Sequence, residues 1–275
     1  MSVGVDSPSC PVPTVSPRPR TAWKVAASAA AMLLLVFGAV QTISALAHGE
    51  RTITRSFPAA GVASVDVEVS SGSIEVVAAE VDEITVTATV SDGFRSTGAE
   101  QAIDGDRLVL TGACPLYLST FCSVDYVVEV PAEVAVVARV DDGPVRISGV
   151  AGAVEVSSDN SGIELLGLSG PVTVHSANGS LAGESLRSPS VEASTENGTV
   201  DLGFTTAPDT VLATSDNGSV EVRLPAVPGD YRVDAGTDNG LTEIGVATDP
   251  ASSRSVVLRS DNGDLRVLPT GAGDR

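Results

Sequence analysis

Apolar and polar residues alternate in short runs over most of the chain after residue 50, and one such run recurs. The repeated pattern is V-x-[VAL]-x-[ST]-x-N, and in most copies a glycine follows the asparagine directly. An alternation of period two predicts β-strands that bury one face. Six copies end in asparagines that are 18 to 23 residues apart: Asn160, Asn178, Asn197, Asn217, Asn239 and Asn262.

The repeats predict a stack of coils. A second short alternating run follows each bend, for example at residues 200–202 and 265–267, and two degenerate copies begin at Val65 and Val136. Valine holds the same place in every unit, and stacking explains this because each position then lies about 4.8 Å from its equivalent. Asn-Gly between strands is also a hairpin signal, so an antiparallel meander is the alternative. The columns favour an all-β parallel β-helix, or solenoid, of about 18–23-residue coils.

The six asparagines have the parity of the buried valines, which predicts that their side chains point inward. An unpartnered buried amide costs roughly 2 kcal/mol or more. In a stack, each amide can bond to the amides above and below it, so we predict a structural asparagine ladder. The following glycine is expected to supply a bend with positive φ, and the serine and threonine column beside the asparagines to form a second ladder.

The N-terminal part of the chain has a different character. Residues 1–22 are rich in proline and predict a disordered cytoplasmic tail. No charged residue occurs between Lys24 and Glu50, so we expect one transmembrane helix at 23–47, with the N-terminus inside. An extracytoplasmic solenoid at 48–268 and a flexible tail at 269–275 follow. The A-x-A pattern at 45–47 leaves open a signal peptide cleaved after Ala47, which would give a secreted protein.

Two cysteines lie in the part expected outside the membrane. In an oxidising compartment a disulfide between Cys114 and Cys122 is the default. Strand-like segments stand on both sides of the pair, which suggests a clipped hairpin. A redox-active pair and a metal site are the alternatives, but the spacing is not C-x-x-C and no histidine is near.

Charge and composition exclude several classes of function. The formal net charge is -19, so we expect no nucleic-acid partner. Aromatic residues make up only 3% of the chain, which leaves few platforms for stacking on bases or sugars. G-x-S-x-G and H-E-x-x-H are both missing, and His175 falls at an outward strand position. We predict neither catalytic residues nor a cofactor.

The position before each asparagine is mostly acidic and is predicted to face outward. Stacked carboxylates about 5 Å apart repel each other by about 0.9 kcal/mol in water. Calcium would relieve this repulsion, so a calcium site is one hypothesis, and a solvated acidic edge that opposes aggregation is the other. Ala177 interrupts the row, which comprises Asp159, Glu196, Asp216, Asp238 and Asp261.

The segment from Cys122 to Pro131, the cysteine before it and the S-x-N-G repeats resemble the putative-adhesin family of bacterial β-strand-repeat proteins. This is a domain family of unknown function whose members are often membrane-anchored, and the resemblance covers roughly residues 50–268. It implies a β-helix-like surface domain and no catalytic residues.

We therefore expect a membrane-anchored, non-enzymatic cell-surface protein with an adhesive or structural role at the bacterial envelope. Its expected ligand is cell wall or a surface protein, and exposed end coils allow self-association. An accessory of an envelope-stress sensing system is the alternative role. A carbohydrate-active β-helix enzyme is a further alternative, although no pair of carboxylates stands out.

Overall fold

The computed structural model describes residues 24, 27, 30–38, 49–92, 98–114 and 122–271. The chain divides into two compact units, Met1–Ala47 and His48–Arg275. In the first unit the described residues are helical, and no helix among them is both long and apolar enough to cross a membrane. The predicted tail at 1–22, most of the predicted span at 23–47 and residues 272–275 lie outside the described residues.

The second unit is all-β. Its alternating sequence produces strands with one buried face, as the period of two predicts. The strands within its described residues are β1 (Gly49–Pro58), β2 (Ser64–Ser71), β3 (Ile74–Ala78), β4 (Glu83–Asp92), β5 (Gly98–Asp104), β6 (Arg107–Ala113), β7 (Ser123–Val130), β8 (Ala135–Asp142), β9 (Val145–Ser148), β10 (Val154–Asn160), β11 (Ile163–Leu166), β12 (Val172–Asn178), β13 (Leu181–Leu186), β14 (Ser190–Asn197), β15 (Val200–Phe204), β16 (Thr210–Asn217), β17 (Val220–Leu224), β18 (Arg232–Asn239), β19 (Thr242–Ile244), β20 (Ser255–Asn262) and β21 (Leu265–Pro269).

Two sheets contain these strands. Sheet A has the order β1-β4-β7-β3-β9-β11-β13-β15-β17-β21-β19, and sheet B has the order β18-β20-β16-β14-β12-β10-β8-β2-β6-β5. Each repeat contributes one strand to sheet B and the next strand to sheet A, and we call this pair of strands a coil. Neighbouring coils pair in parallel and in register, as in Val172 with Val191, so the predicted parallel pairing is confirmed.

The core lies between the two sheets and consists of columns of equivalent residues. The first valine column is almost completely buried in the coils that begin at Val154, Val172, Val191 and Val211. Because the register is in phase, each valine packs against its equivalents in the neighbouring coils. The degenerate copy at Val65 joins the same column, paired in parallel with Val136.

The last two coils do not follow chain order. The β20–β21 coil lies between the β16–β17 coil and the β18–β19 coil, so the stack departs from chain order at this end. The inserted coil buries Val256 and Leu258 completely, whereas Val233 and Ala235 of the end coil are half-buried. Burial is more favourable for larger apolar side chains, which explains why the more apolar coil occupies the inner place.

The N-terminal end contains antiparallel strands, in β1–β4, β4–β7 and β5–β6. The cysteine-flanking segments form β6 and β7, which belong to different sheets. They are therefore not the clipped hairpin that the sequence suggested. Each strand instead continues a different sheet, because each buries its own apolar face toward the space between the sheets.

Candidate binding surface

The repeated asparagines form a ladder at one corner of the coils. Each side-chain amide donates a hydrogen bond from Nδ2 to the Oδ1 of the asparagine in the neighbouring coil, and Asn160 donates to Asp142. The donor–acceptor distances are 3.1 Å for Asn178 to Asn160, 2.9 Å for Asn197 to Asn178, 3.0 Å for Asn217 to Asn197, 3.1 Å for Asn262 to Asn217 and 3.0 Å for Asn239 to Asn262.

The ladder lies on the outside of the corner, so the inward orientation predicted from parity is wrong. All six asparagines are exposed, while the serine or threonine two residues earlier is buried in five of the six coils. The alternation ends because the backbone of each coil turns the corner after the residue with the buried hydroxyl. The ladder therefore stabilises the edge of the stack without filling its core.

Close approach between coils, and not positive φ, explains the glycine after most of these asparagines. A Cβ on Gly198 would lie 2.0 Å from the carbonyl oxygen of Gly179, and one on Gly218 would lie 1.8 Å from the oxygen of Gly198. Positive φ occurs instead at Gly72 and Gly143, in the two degenerate copies. The expectation of a left-handed bend is therefore wrong for the regular repeats.

The serine and threonine column does not form the second ladder that the sequence suggested. The hydroxyls donate to glycine carbonyls of a neighbouring coil, for example from Ser215 to Gly198 at 2.9 Å and from Thr195 to Gly179 at 3.1 Å. The Oγ atoms of Ser158 and Ser176 have no hydrogen-bond partner in the described part of the chain. In the coils where the bond forms, as at Ser215 and Thr195, a glycine carbonyl oxygen at the corner accepts it in place of another hydroxyl.

The acidic row is exposed along the same corner. Because the last two coils are exchanged, Glu196, Asp216, Asp261 and Asp238 occupy four consecutive coils, and Asp159 is separated from them by Ala177. Among the described residues, no group of three or more histidine, cysteine, aspartate or glutamate side chains is arranged to hold a metal ion. His175 is exposed on sheet B, with Nδ1 2.9 Å from the Oγ of Ser194.

The disulfide joins the two sheets near the N-terminal end of the stack. Cys114 and Cys122 are bonded, with their Cα atoms 5.8 Å apart. The Cys114 N–H donates to the Oγ of Ser70 at 3.3 Å, which ties the bridge to strand β2. The bond connects the end of β6 in sheet B to the start of β7 in sheet A, while residues 115–121 between them lie outside the described residues.

A groove of about 510 Å³ crosses four coils on the outer face of sheet A, and we call it the outer groove. One side is formed by small residues that directly precede the strands, and the other by outward residues of β3, β9, β11 and β13. Gly162, which has no side chain, and Ala182, which has only a methyl group, leave room between the strands. The lining side chains include Ser73, Pro144, Gly162, Ser180, Glu75, Arg146, Glu164 and Ala182.

The polar side chains of the outer groove are held in place. Arg146 donates from Nε to the Oε2 of Glu164 at 2.6 Å, across neighbouring coils. At the other end, the N–H and the hydroxyl of Ser73 both donate to Oδ1 of Asp125, at 2.8 and 2.7 Å. The alternation of the strands does not predict this groove, whose signal in the sequence is the pair of small residues, Gly162 and Ala182, in columns that elsewhere carry larger side chains.

Charges of both signs continue along the outer face of sheet A beyond the groove. Arg223 pairs with Asp201 and Glu221 on the neighbouring and the same strand. Burial acts to lower the pKa of Arg223, but hydrogen bonds to these two carboxylates outweigh it and raise the pKa. Arg266 approaches Glu221 at 3.8 Å and Glu243 at 3.7 Å. The arginines thus compensate part of the negative charge on this face.

Comparison with known proteins assigns no family to the chain. No family model and no curated protein match the chain. A solved structure described as a putative adhesin from Bacteroides fragilis NCTC 9343 is 12% identical with a TM-score of 0.48, covering 80% of this chain and 97% of its own. A putative cell adhesion protein from Clostridium sporogenes ATCC 15579 is 9% identical with a TM-score of 0.38, covering 80% and 100%. A putative adhesin from Parabacteroides distasonis ATCC 8503 is 12% identical with a TM-score of 0.24, covering 78% and 97%. At this distance the similarities carry no argument about function.

Proposed function

We propose that the chain is a non-enzymatic, extracytoplasmic parallel β-solenoid with an adhesive role at the bacterial envelope. It binds a surface ligand through the outer face of sheet A. The observation that carries this proposal is the outer groove, which crosses four coils and presents polar groups at fixed positions. A groove that runs across strands suits an extended chain, such as a wall polymer or a peptide, because such a ligand contacts several coils at once.

The fixed geometry of the face supports binding. Parallel pairing in register positions each coil against its neighbours, and the asparagine ladder connects them along one corner. A preorganised surface loses little conformational entropy when a ligand binds, so a modest contact area can give useful affinity. The Arg146–Glu164 pair joins neighbouring coils, which restricts both side chains.

The groove has the chemistry to recognise hydroxyl, amide and carboxylate groups. Ser180 and Pro144 line one side, and the guanidinium of Arg146 is exposed and able to donate further hydrogen bonds. Val127, which is 41% exposed, neighbours Glu75 on the adjoining strand and offers an apolar contact beyond the groove. A ligand with both polar groups and a small apolar surface fits this combination.

The disulfide supports a location outside the cytoplasm. Bonds such as Cys114–Cys122 form and persist in oxidising compartments. We further propose that residues 23–47 anchor the protein in the cell membrane with the N-terminus inside, a part of the proposal that rests on the charge and hydropathy pattern of the sequence.

Binding of fluorescently labelled residues 49–275 to intact bacteria and to isolated cell wall tests the proposal. We expect saturable binding that unlabelled protein displaces. Gly162→Gln fills the groove without touching the core, because nothing lies within 4 Å of a Cβ at this position, and should weaken binding at least about tenfold.

Thr173→Gln is the matched control, since Thr173 is exposed on the outer face of sheet B. It should bind like the wild type. Equal binding by the wild type and Gly162→Gln would refute the role of the groove. A folded domain that binds neither cells nor wall would refute adhesion itself.

A further inference from the structure

Five asparagines of the ladder are followed by glycine, and such Asn-Gly pairs can undergo deamidation, in which the asparagine side chain loses ammonia. In an Asn-Gly pair, the glycine nitrogen can attack the side-chain carbonyl carbon of the asparagine. Glycine has no Cβ to obstruct this attack. The five pairs begin at Asn178, Asn197, Asn217, Asn239 and Asn262.

Four of the pairs are restrained on both sides. The glycine N–H of each pair donates to the backbone carbonyl of the asparagine in the next coil, at 3.0 Å for Gly179, 3.2 Å for Gly198, 2.9 Å for Gly218 and 3.0 Å for Gly263. Their asparagine amides also donate to one neighbouring asparagine and accept from the other. The nucleophile and the electrophile of these pairs are therefore both held by hydrogen bonds.

The fifth pair lies at the end of the stack. Asn239 is the last residue of β18, which is the edge strand of sheet B, and Gly240 is exposed while the other four glycines are half-buried. Within the described part of the chain, the Gly240 N–H has no hydrogen-bond partner and the Asn239 Oδ1 accepts no bond. The pair thus lacks two of the restraints that the inner pairs have.

We propose that Asn239 is a site of spontaneous deamidation that marks the free end of the stack. The Gly240 nitrogen bonds to Cγ of Asn239 and gives its proton to solvent, while solvent returns a proton to the side-chain nitrogen. The Cγ–Nδ2 bond then breaks and ammonia leaves. Water then opens the cyclic imide. Aspartate forms when the bond between Cγ and the Gly240 nitrogen breaks, and isoaspartate forms when the bond between the backbone carbonyl carbon and that nitrogen breaks, so that the main chain continues through Cγ. No oxidant or cofactor takes part.

The modification changes the contacts of the end coil. Nδ2 of Asn239 donates to Asn262 Oδ1 at 3.0 Å and approaches the Asp261 carbonyl at 3.4 Å, and a carboxylate can donate neither bond. The new charge lies beside Asp238 and the carboxylate of Asp261 on the adjacent strand. Isoaspartate also lengthens the main chain between β18 and β19. The end coil therefore loosens from the β20–β21 coil.

Peptide mapping by mass spectrometry tests the proposal on the full chain after incubation at mildly alkaline pH. Each of the two extra hydrogen bonds at an inner pair slows local opening by about fivefold, so Asn239 should deamidate about 25-fold faster than Asn197 in the folded protein. In urea the two sites should react at equal rates, because only the fold distinguishes them.

Asn239→Gln is the control variant, because glutamine keeps an amide but does not form the five-membered ring readily. It should remove both the modification and any age-dependent rise in amide exchange of β18. Deamidation at Asn239 that is no faster than at Asn197 in the folded chain would overturn the proposal. Faster reaction at Asn239 in urea as well would show that local sequence, and not the end of the stack, is the cause.

Discussion

Replacing Gly198 with alanine tests the close approach that joins neighbouring coils. The added Cβ would lie 2.0 Å from the carbonyl oxygen of Gly179, whereas an ordinary contact begins near 3.4 Å. The two coils must therefore separate by more than about 1 Å at this corner. The bond from the Gly179 N–H to the Asn197 carbonyl is 3.0 Å long, and such a shift takes it beyond hydrogen-bonding distance.

The expected cost follows from these contacts. Overpacking costs about 1–3 kcal/mol, and the lost hydrogen bond adds about 1 kcal/mol. Gly198→Ala should therefore destabilise the domain by about 3 kcal/mol. For a domain of this size, that corresponds to a melting temperature about 10 °C lower.

Thermal unfolding of residues 49–275, followed by circular dichroism, measures the effect. Gly162→Ala is the control because its Cβ meets nothing within 4 Å and its φ is not in the left-handed region. It should melt at or slightly above the wild-type temperature, since alanine restricts the unfolded chain. If Gly198→Ala melts together with Gly162→Ala, close packing between coils is not the reason for glycine at this corner.

Three further measurements address other parts of the fold. Ser215→Ala loses the bond to the Gly198 carbonyl and should cost about 1 kcal/mol in chemical unfolding, whereas Ser176→Ala removes an unpartnered hydroxyl and should be neutral or stabilising; equal losses would contradict the bonding pattern. Cys122→Ser opens the bridge to Cys114 and should cost about 2.5 kcal/mol, and a reducing agent should lower the stability of the wild type but not of the variant. Burial, and next the charge of Glu100, raise the pKa of Tyr126 to about 12. Because the neutral phenol is favoured in the folded state, the contribution of Tyr126 to stability should be fully present below pH 10 and be lost between about pH 10 and 12, so Tyr126→Phe should lose less stability than the wild type over that window.

The candidate surface was only partly predictable from the sequence. The asparagine ladder depends on the interval between the first valine and the asparagine of each unit. This interval is the same in all six copies and is visible in the printed sequence. The outer groove depends on which small residues become neighbours across strands, such as Gly162 and Ala182 on consecutive coils. Each is unremarkable within its own repeat, so only the register between coils shows that they form one depression.

The side of the strand on which the asparagines lie was also not predictable from the alternation alone. The alternation of period two, when it is extended through the turn, predicts that Asn160 and its equivalents lie on the buried face. In the structure the chain bends after the buried Ser158, and Asn160 is exposed. The alternation holds only while the strand is straight, so a pattern read through a bend predicts the wrong side.

The sequence by itself determined the all-β class, the parallel register and the position of the buried valine columns, because these follow from local alternation repeated along the chain. The tertiary structure alone decided the order of the coils and where the stack ends. The units at Val233 and Val256 carry the same motif and fit the ladder in the same register, so local pattern does not distinguish between them. The choice depends on the apolar surface that whole coils bury against each other, which places Val256 and Leu258 inside and leaves β18 at the edge.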